Sequence, residues 1–235
     1  MQRTENELPI VEVFLSVQGE GINIGTPSVF LRTYFCNLTC TWCDTKYTWL
    51  NQDRSKAGID YQSMTAEDIV SRVTKFDCKN LVLTGGEPLL HQRPLLPVLS
   101  RLKERDMHIE VETNGTVPPS EEMLDVVDLF NVSPKTSNSL VDKRLRLRRV
   151  VLEAFVTSQK AWFKFVVRDQ HDLLEVESLI SDFSMPAERV ILMPEGTDSV
   201  VLNERGRWLI EICKEKGFRF TPRLHIMLFG NRRGV

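Results

Sequence analysis

Cys36, Cys40 and Cys43 fall within eight residues, just after a run of β-forming side chains. Three neighbouring thiols in a chain with five cysteines make a poor disulfide framework and a good metal site, and they imply a reducing compartment. The ligand count selects the metal. A cubane iron–sulfur cluster has four irons, so three protein thiolates leave one iron open to chelate a small molecule, whereas a purely electron-transferring cluster normally takes four. The competing reading, a structural zinc site, needs a closed set of four ligands. No fourth is evident. Cys78 lies just before a buried strand and Cys213 falls on an apolar helix stripe, where a thiol packs as a small hydrophobe.

Other residues carry weaker signals. Gly85-Gly86-Glu87-Pro88 offers backbone that a ligand can approach closely, although two glycines and a proline are also an ordinary turn. Phe30, Arg32 and Tyr34 alternate with Val29, Leu31 and Thr33, so the Arg32 guanidinium is forced into or beside an apolar sheet. A buried charge needs a partner: either an intramolecular Asp or Glu, or a carboxylate ligand gripped by the fork. The run Lys143 to Arg149 reads as a solvated helix face, and it is the only stretch that argues for contact with nucleic acid. His91, His108, His171 and His225 read as structural or surface residues.

The elements that must position these groups alternate. Residues 28–35 predict a strand. Thr65 and Asp68 predict the capping box of a helix striped by Ile69, Val70, Val73 and Phe76. Strands follow at 80–83, 107–112, 129–132, 162–167 and 189–193. Helices are marked by Leu95, Leu99 and Leu102, by Leu173, Val176, Ile180 and Phe183, and by Trp208, Leu209, Ile212 and Cys213 with Gly217 as a stop. Such alternation implies right-handed crossovers and a parallel α/β sheet, open or rolled into a barrel. The cysteines, Thr84 to Pro88, Thr113 to Gly115, Ser133 to Lys135 and Met193 to Gly196 each follow a strand, so separate loops meet at the carboxyl end of the sheet. Residues 51–58 read as a polar loop.

With 235 residues, 42% of them hydrophobic, the chain suits one sizeable core, and 1–235 is expected to be a single domain. Thirty basic against 32 acidic residues give a net charge of −2 and no global attraction to nucleic acid or an anionic membrane. No apolar run is long enough to span a bilayer and the first nine residues are polar, which points to the cytoplasm.

Cys-x3-Cys-x2-Cys with an aromatic before the third cysteine resembles the radical S-adenosylmethionine (SAM) superfamily, and Gly85 to Pro88 resembles its glycine-rich stretch. Gln18-Gly19-Glu20-Gly21, Gly25-x-Pro27, Arg32, Cys43-Asp44-Thr45, Val132 to Lys135 and the tail Arg223 to Gly234 are more restrictive. Together they resemble 7-carboxy-7-deazaguanine synthase over nearly the whole chain. Phe35, where many relatives have glycine, and Met227 and Phe229 depart from that pattern.

The resemblance implies a partial, open radical SAM (β/α) barrel with a parallel sheet. It implies a carbon–nitrogen lyase that converts 6-carboxy-5,6,7,8-tetrahydropterin to 7-carboxy-7-deazaguanine with loss of ammonia, on the route to queuosine and other 7-deazapurines. Its cofactors would be a 4Fe–4S cluster on Cys36, Cys40 and Cys43, SAM, and Mg2+ on Thr45. Val17, Gln18, Gly19, Glu20, Arg32 and Thr84 would bind substrate. Trp42 (through its backbone), Gly86, Ser133, Pro134, Lys135, Met193, Pro194, Glu195 and Gly196 would wall the SAM site. The partners would be the pterin, an electron donor such as flavodoxin or ferredoxin, and a second copy in a homodimer, with no nucleic acid and no membrane. Two other readings remain open: a radical SAM activase that places a glycyl radical on a partner protein, and a zinc-stabilised RNA-binding module resting on Lys143 to Arg149.

Overall fold

Strand β1 (Leu8–Val17) pairs antiparallel with β2 (Pro27–Thr33) on one side and β3 (Gln62–Met64) on the other. This computed structural model describes residues 7–50 and 61–235, so the polar loop expected at 51–58 lies outside the described residues. From β2 onward each neighbour is parallel, through β4 (Asn80–Gly85), β5 (His108–Thr113), β6 (Leu129–Val132), β7 (Ala161–Val167), β8 (Val190–Pro194) and β9 (Arg219–Phe220). The order β3-β1-β2-β4-β5-β6-β7-β8-β9 makes one nine-stranded sheet whose ends do not pair with each other. It is an open barrel, as expected, with an antiparallel edge that was not.

That edge corrects the reading of 28–35 as the first strand. The pairing register of β1 shifts between Ile10 and Glu12, which breaks the two-residue alternation by which a strand is recognised. The strand expected at 28–35 also stops at Thr33, because Phe35 turns the chain at φ +89° into the cysteine loop.

Helix α1 (Ala66–Val73) starts at the predicted box: Thr65 Oγ1 accepts from Asp68 N, and Asp68 Oδ2 accepts from Thr65 N. Phe76 lies beyond its end. α2 (Gln92–Lys103), α6 (Gln170–Phe183) and α7 (Ser199–Lys216) fall where the stripes place them, and Gly217 ends α7 at φ +72°. α3 (Glu121–Val126), α4 (Lys143–Arg146), α5 (Arg149–Ser158) and α8 (Leu224–Phe229) complete the described helices. α4 is not simply a solvated face. Arg146 is buried, pairing with Glu175 at 2.8 Å and donating to the Lys135 carbonyl at 2.6 Å.

Alternation along the strands divides the sheet chemically. Val29, Leu31, Leu81, Leu83, Ile109, Val111, Phe130, Val132, Phe163 and Phe165 are buried in the helix-covered core. Each such side chain contributes about 1.5–3 kcal/mol by leaving water. The intervening positions, Arg32, Thr84, Glu110, Glu112, Asn131 and Lys164, belong to the opposite face.

Candidate active site

That opposite face lines a cavity of about 440 Å3, a size suited to a small-molecule ligand. The three cysteines open into it, on the loop after β2. So do Val17, Gln18, Gly19, Glu20, Arg32, Trp42, Thr45, Thr84, Gly86, Ser133, Lys135, Met193, Glu195 and Gly196. Pro134 and Pro194 are buried and do not line it. Loops from β2, β4, β5, β6 and β8 therefore converge at the carboxyl end of the sheet.

The thiols are free, and they do not crowd around one point. Among the described residues, the only three Cys, His, Asp or Glu side chains whose ligand atoms all lie within 4.8 Å of one another are Glu20, Asp44 and His225. A single tetrahedral zinc, with Zn–S bonds of about 2.3 Å, would hold its sulfurs under about 4 Å apart. The three thiols are therefore not gathered around a single tetrahedral ion. Leu38 N donates to Cys36 Sγ and Trp49 Nε1 to Cys43 Sγ, both at 3.4 Å, the N–H···S contacts that tune cluster potentials. Burial pushes the Cys36 thiol up to about 12 and raises Cys40 as well, so iron must displace protons to bind them.

Backbone packing fixes the glycine-rich loop. A Cβ on Gly86 would lie 1.9 Å from the Phe35 carbonyl oxygen and 2.8 Å from Cys36 N. Glu87 is fully buried, and its carboxylate accepts from Thr113 Oγ1 (2.8 Å), Asn114 N (2.7 Å) and Leu89 N (3.1 Å), tying the loop after β4 to the loop after β5. Burial pushes Glu87 up to about 7. Lys135 Nζ stands 5.3 Å from the centre of the Trp42 ring, whose Nε1 donates to Asn138 Oδ1.

The sheet floor is lined with carboxylates and amides. Glu110 accepts from Gln18 Nε2 and Asn23 Nδ2, each at 2.8 Å, and Glu112 accepts from Thr84 Oγ1 at 2.8 Å. Burial, reinforced by the neighbouring Glu112, pushes Glu110 up to about 7. Asn131 Oδ1 is buried without a hydrogen-bond partner among the described residues. Arg32 donates through Nε to Glu12 at 2.6 Å, so the intramolecular partner allowed by the sequence is present.

A second ionic group crosses the cavity. Glu20 pairs with Lys164 at 2.5 Å and Arg223 Nε at 3.0 Å, while Arg223 Nη2 also binds Asp44. Burial works to raise the Glu20 carboxyl, but Lys164, Arg223 and His225 together hold it well below the usual range. With two cations already seated, Glu20, Asp44 and His225 are an ion-pair network and not a vacant cation site. His225 is not a surface residue: it lines the cavity and packs so close that a Cβ on Gly19 would lie 2.2 Å from its Nδ1.

Residues 30–167 match the model of the radical SAM superfamily. The 7-carboxy-7-deazaguanine synthase of Pyrobaculum aerophilum is 40% identical over 226 residues, 96% of each chain. That of Halobacterium salinarum is 37% identical, covering 95% of this chain and 91% of its own. The chain belongs to the 7-carboxy-7-deazaguanine synthase family. Crystallographic QueE from Escherichia coli superposes with a TM-score of 0.72 at 26% identity, covering 93% of this chain and 95% of that one. Streptococcus suis SuiB, at 13% identity and TM-score 0.57, shares the fold alone. The synthase family and its superfamily imply the 4Fe–4S cluster and SAM, for which Cys36, Cys40 and Cys43 offer three free thiols in the cavity wall.

Sequence reasoning missed Asp44, Glu112, Asn131, Lys164, Arg223 and His225 in this synthase cavity, and Glu110, which holds the amide of Gln18 in the cavity wall. The strand residues had a signal, since they alternate with the core as Arg32 does.

Proposed function

We propose that this chain, read over 1–235 as one radical SAM domain, converts 6-carboxy-5,6,7,8-tetrahydropterin to 7-carboxy-7-deazaguanine and ammonia. The observation that carries the reading is one cavity with three thiols in its wall and a carboxylate–amide floor. Cys36, Cys40 and Cys43 would hold the cluster. Trp42, Gly86, Ser133, Lys135, Met193, Glu195 and Gly196 would shape the SAM wall, with Pro134 and Pro194 bracing it from behind. Bound there, the cluster and SAM supply a carbon radical able to take a hydrogen atom from the substrate.

The remaining work is placement. The Glu112 carboxylate suits the N–H donors of an aminopyrimidinone ring, Asn131 Oδ1 offers one more acceptor, and Val17, Gln18 (held by Glu110), Gly19, Glu20 and Thr84 complete that side. Arg32, its Nε kept by Glu12, would present its remaining donors to the substrate carboxylate. Thr45 would contribute its hydroxyl to Mg2+, with water and substrate oxygens filling the shell. A homodimer in the cytoplasm, reduced by a flavodoxin or ferredoxin, completes the proposal. No described helix is long and apolar enough to cross a membrane.

Incubation of the reconstituted protein with SAM, Mg2+, reductant and the carboxypterin should give 7-carboxy-7-deazaguanine. Absence of any deazapurine, with SAM cleavage intact, would favour the activase reading. Arg32→Ala is expected to weaken carboxypterin binding at least tenfold, about 1.4 kcal/mol, while SAM cleavage without substrate persists. Unchanged substrate affinity would refute the role of Arg32.

A further inference from the structure

The basic run that the catalytic reading leaves unused lies beside the cysteine loop. Thr41 N donates to the Ser139 carbonyl at 3.1 Å, and Trp42 Nε1 donates to Asn138 at 2.9 Å. Lys143 is four residues beyond Ser139, so at about 3.6 Å per residue its Cα lies within about 14 Å of that contact. Between them Leu140 is 77% exposed, and Leu145 and Val150 are 56% and 78% exposed. Arg146 is consumed by Glu175 and Arg149 by Glu153. Among the described residues, Lys143, Arg144 and Arg148 are exposed and have no ion-pair partner. On the cysteine loop itself Asn37, Thr39 and Thr41 are exposed and uncharged.

We propose that the surface formed by Leu140, Lys143, Arg144, Leu145 and Arg148 is the docking face for an acidic one-electron carrier protein. The proposal rests on the cluster reading given above. Three unpaired cations attract and orient an acidic partner, and aliphatic side chains among them supply the water-excluding contacts of a protein interface. RNA would gain little there, because single strands bind by stacking on aromatic rings and the exposed apolar residues of this stretch are aliphatic. Docking here brings the carrier against the outer side of the cysteine loop. One electron then passes from the carrier's cofactor to the oxidised cluster, and no proton or group moves with it.

A flavodoxin is the probe, used with the cluster-loaded enzyme. Its affinity should fall as salt rises, and zero-length carbodiimide cross-linking should join its carboxylates to Lys143. K143E/R144E/R148E is expected to weaken binding by about tenfold or more and to slow flavodoxin-driven cluster reduction in step, because like charges now face the partner. Leu140→Asn, a residue that tolerates the φ of +57° found there, should weaken binding by about threefold without a charge change. With dithionite in place of flavodoxin, both variants should cleave SAM as the wild type does. Unchanged flavodoxin affinity in the triple variant, cross-links confined to other faces, an equal loss with dithionite, or tighter binding of a short RNA than of flavodoxin each overturns the proposal. Salt-sensitive binding and the Lys143 cross-link in a wild type that cleaves no SAM would uphold the docking face and sink the catalytic reading alone.

Discussion

Glu110 is held by amide donors and no cation touches it, so its carboxyl keeps a proton up to about pH 7 in the folded protein against about 4.3 when free. A group raised in this way contributes stability that is fully present below the unfolded value and is lost as pH rises through the folded one. Glu87, raised by burial to about 7, works in the same direction. Wild-type protein should therefore lose stability between pH 5 and pH 8, and Glu110→Gln should lose less over the same interval. Urea midpoints measured across that range test this, and parallel curves for the two proteins would refute it. His225, lowered chiefly by burial, opposes the trend equally in both. Strand alternation alone could have placed Glu110, Glu112, Asn131 and Lys164, because the argument that singled out Arg32 applies to each of them. Arg32 itself shows the limit of that argument: its place on the cavity face was legible, but its partner Glu12 sits on a strand whose register shift hid it.

At the scale of elements, the two loops nearest the thiols are packed backbone to backbone. Gly86→Ala would drive a methyl group into the Phe35 carbonyl, and overpacking of this kind typically costs about 1–3 kcal/mol. The expected result is a lower thermal midpoint and reduced iron content after reconstitution; full iron loading with unchanged stability would contradict it. Phe35 carries a φ of +89° that glycine adopts freely, and holding a bulky residue there costs about 1–3 kcal/mol. Phe35→Gly should recover about 1 kcal/mol of this after the roughly 0.5–1 kcal/mol entropy cost of glycine, raising the midpoint by about 2–4 °C. Calorimetry of the two proteins decides the sign. The capping box of α1, the stop of α7 at Gly217 and the convergence of loops at strand ends were legible because each depends on residues close in sequence. The short α3 was not, since six residues make too little periodicity to recognise.

Across the whole molecule, Glu20 joins parts of the chain that no local pattern connects. Its partners stand 144 and 203 residues away, Gly21 N donates to Thr221 Oγ1, and Leu224 N donates to the Gly19 carbonyl. Apart from the Lys164 pair, which reaches β7, these contacts link the segment after β1 to the segment after β9. Glu20→Gln leaves Lys164 and Arg223 short of a buried countercharge and should cost about 3–5 kcal/mol. Hydrogen exchange should then quicken at residues 18–26 and 221–226 before it quickens in β4 or β5. Uniform acceleration would mean that the ion pairs do not hold this closure. Such long-range pairing was illegible in the sequence, which explains why Arg223 and His225 went unassigned.

The Glu20 clamp also sets an order of assembly. Contacts separated by 200 residues carry the largest loop-closure entropy and form late. During synthesis the central parallel strands and Lys164 precede Arg223, so the clamp is complete only after Arg223 has emerged. Until then the cysteines stand on a sheet without this clasp, so iron loading is expected to follow the emergence of Arg223.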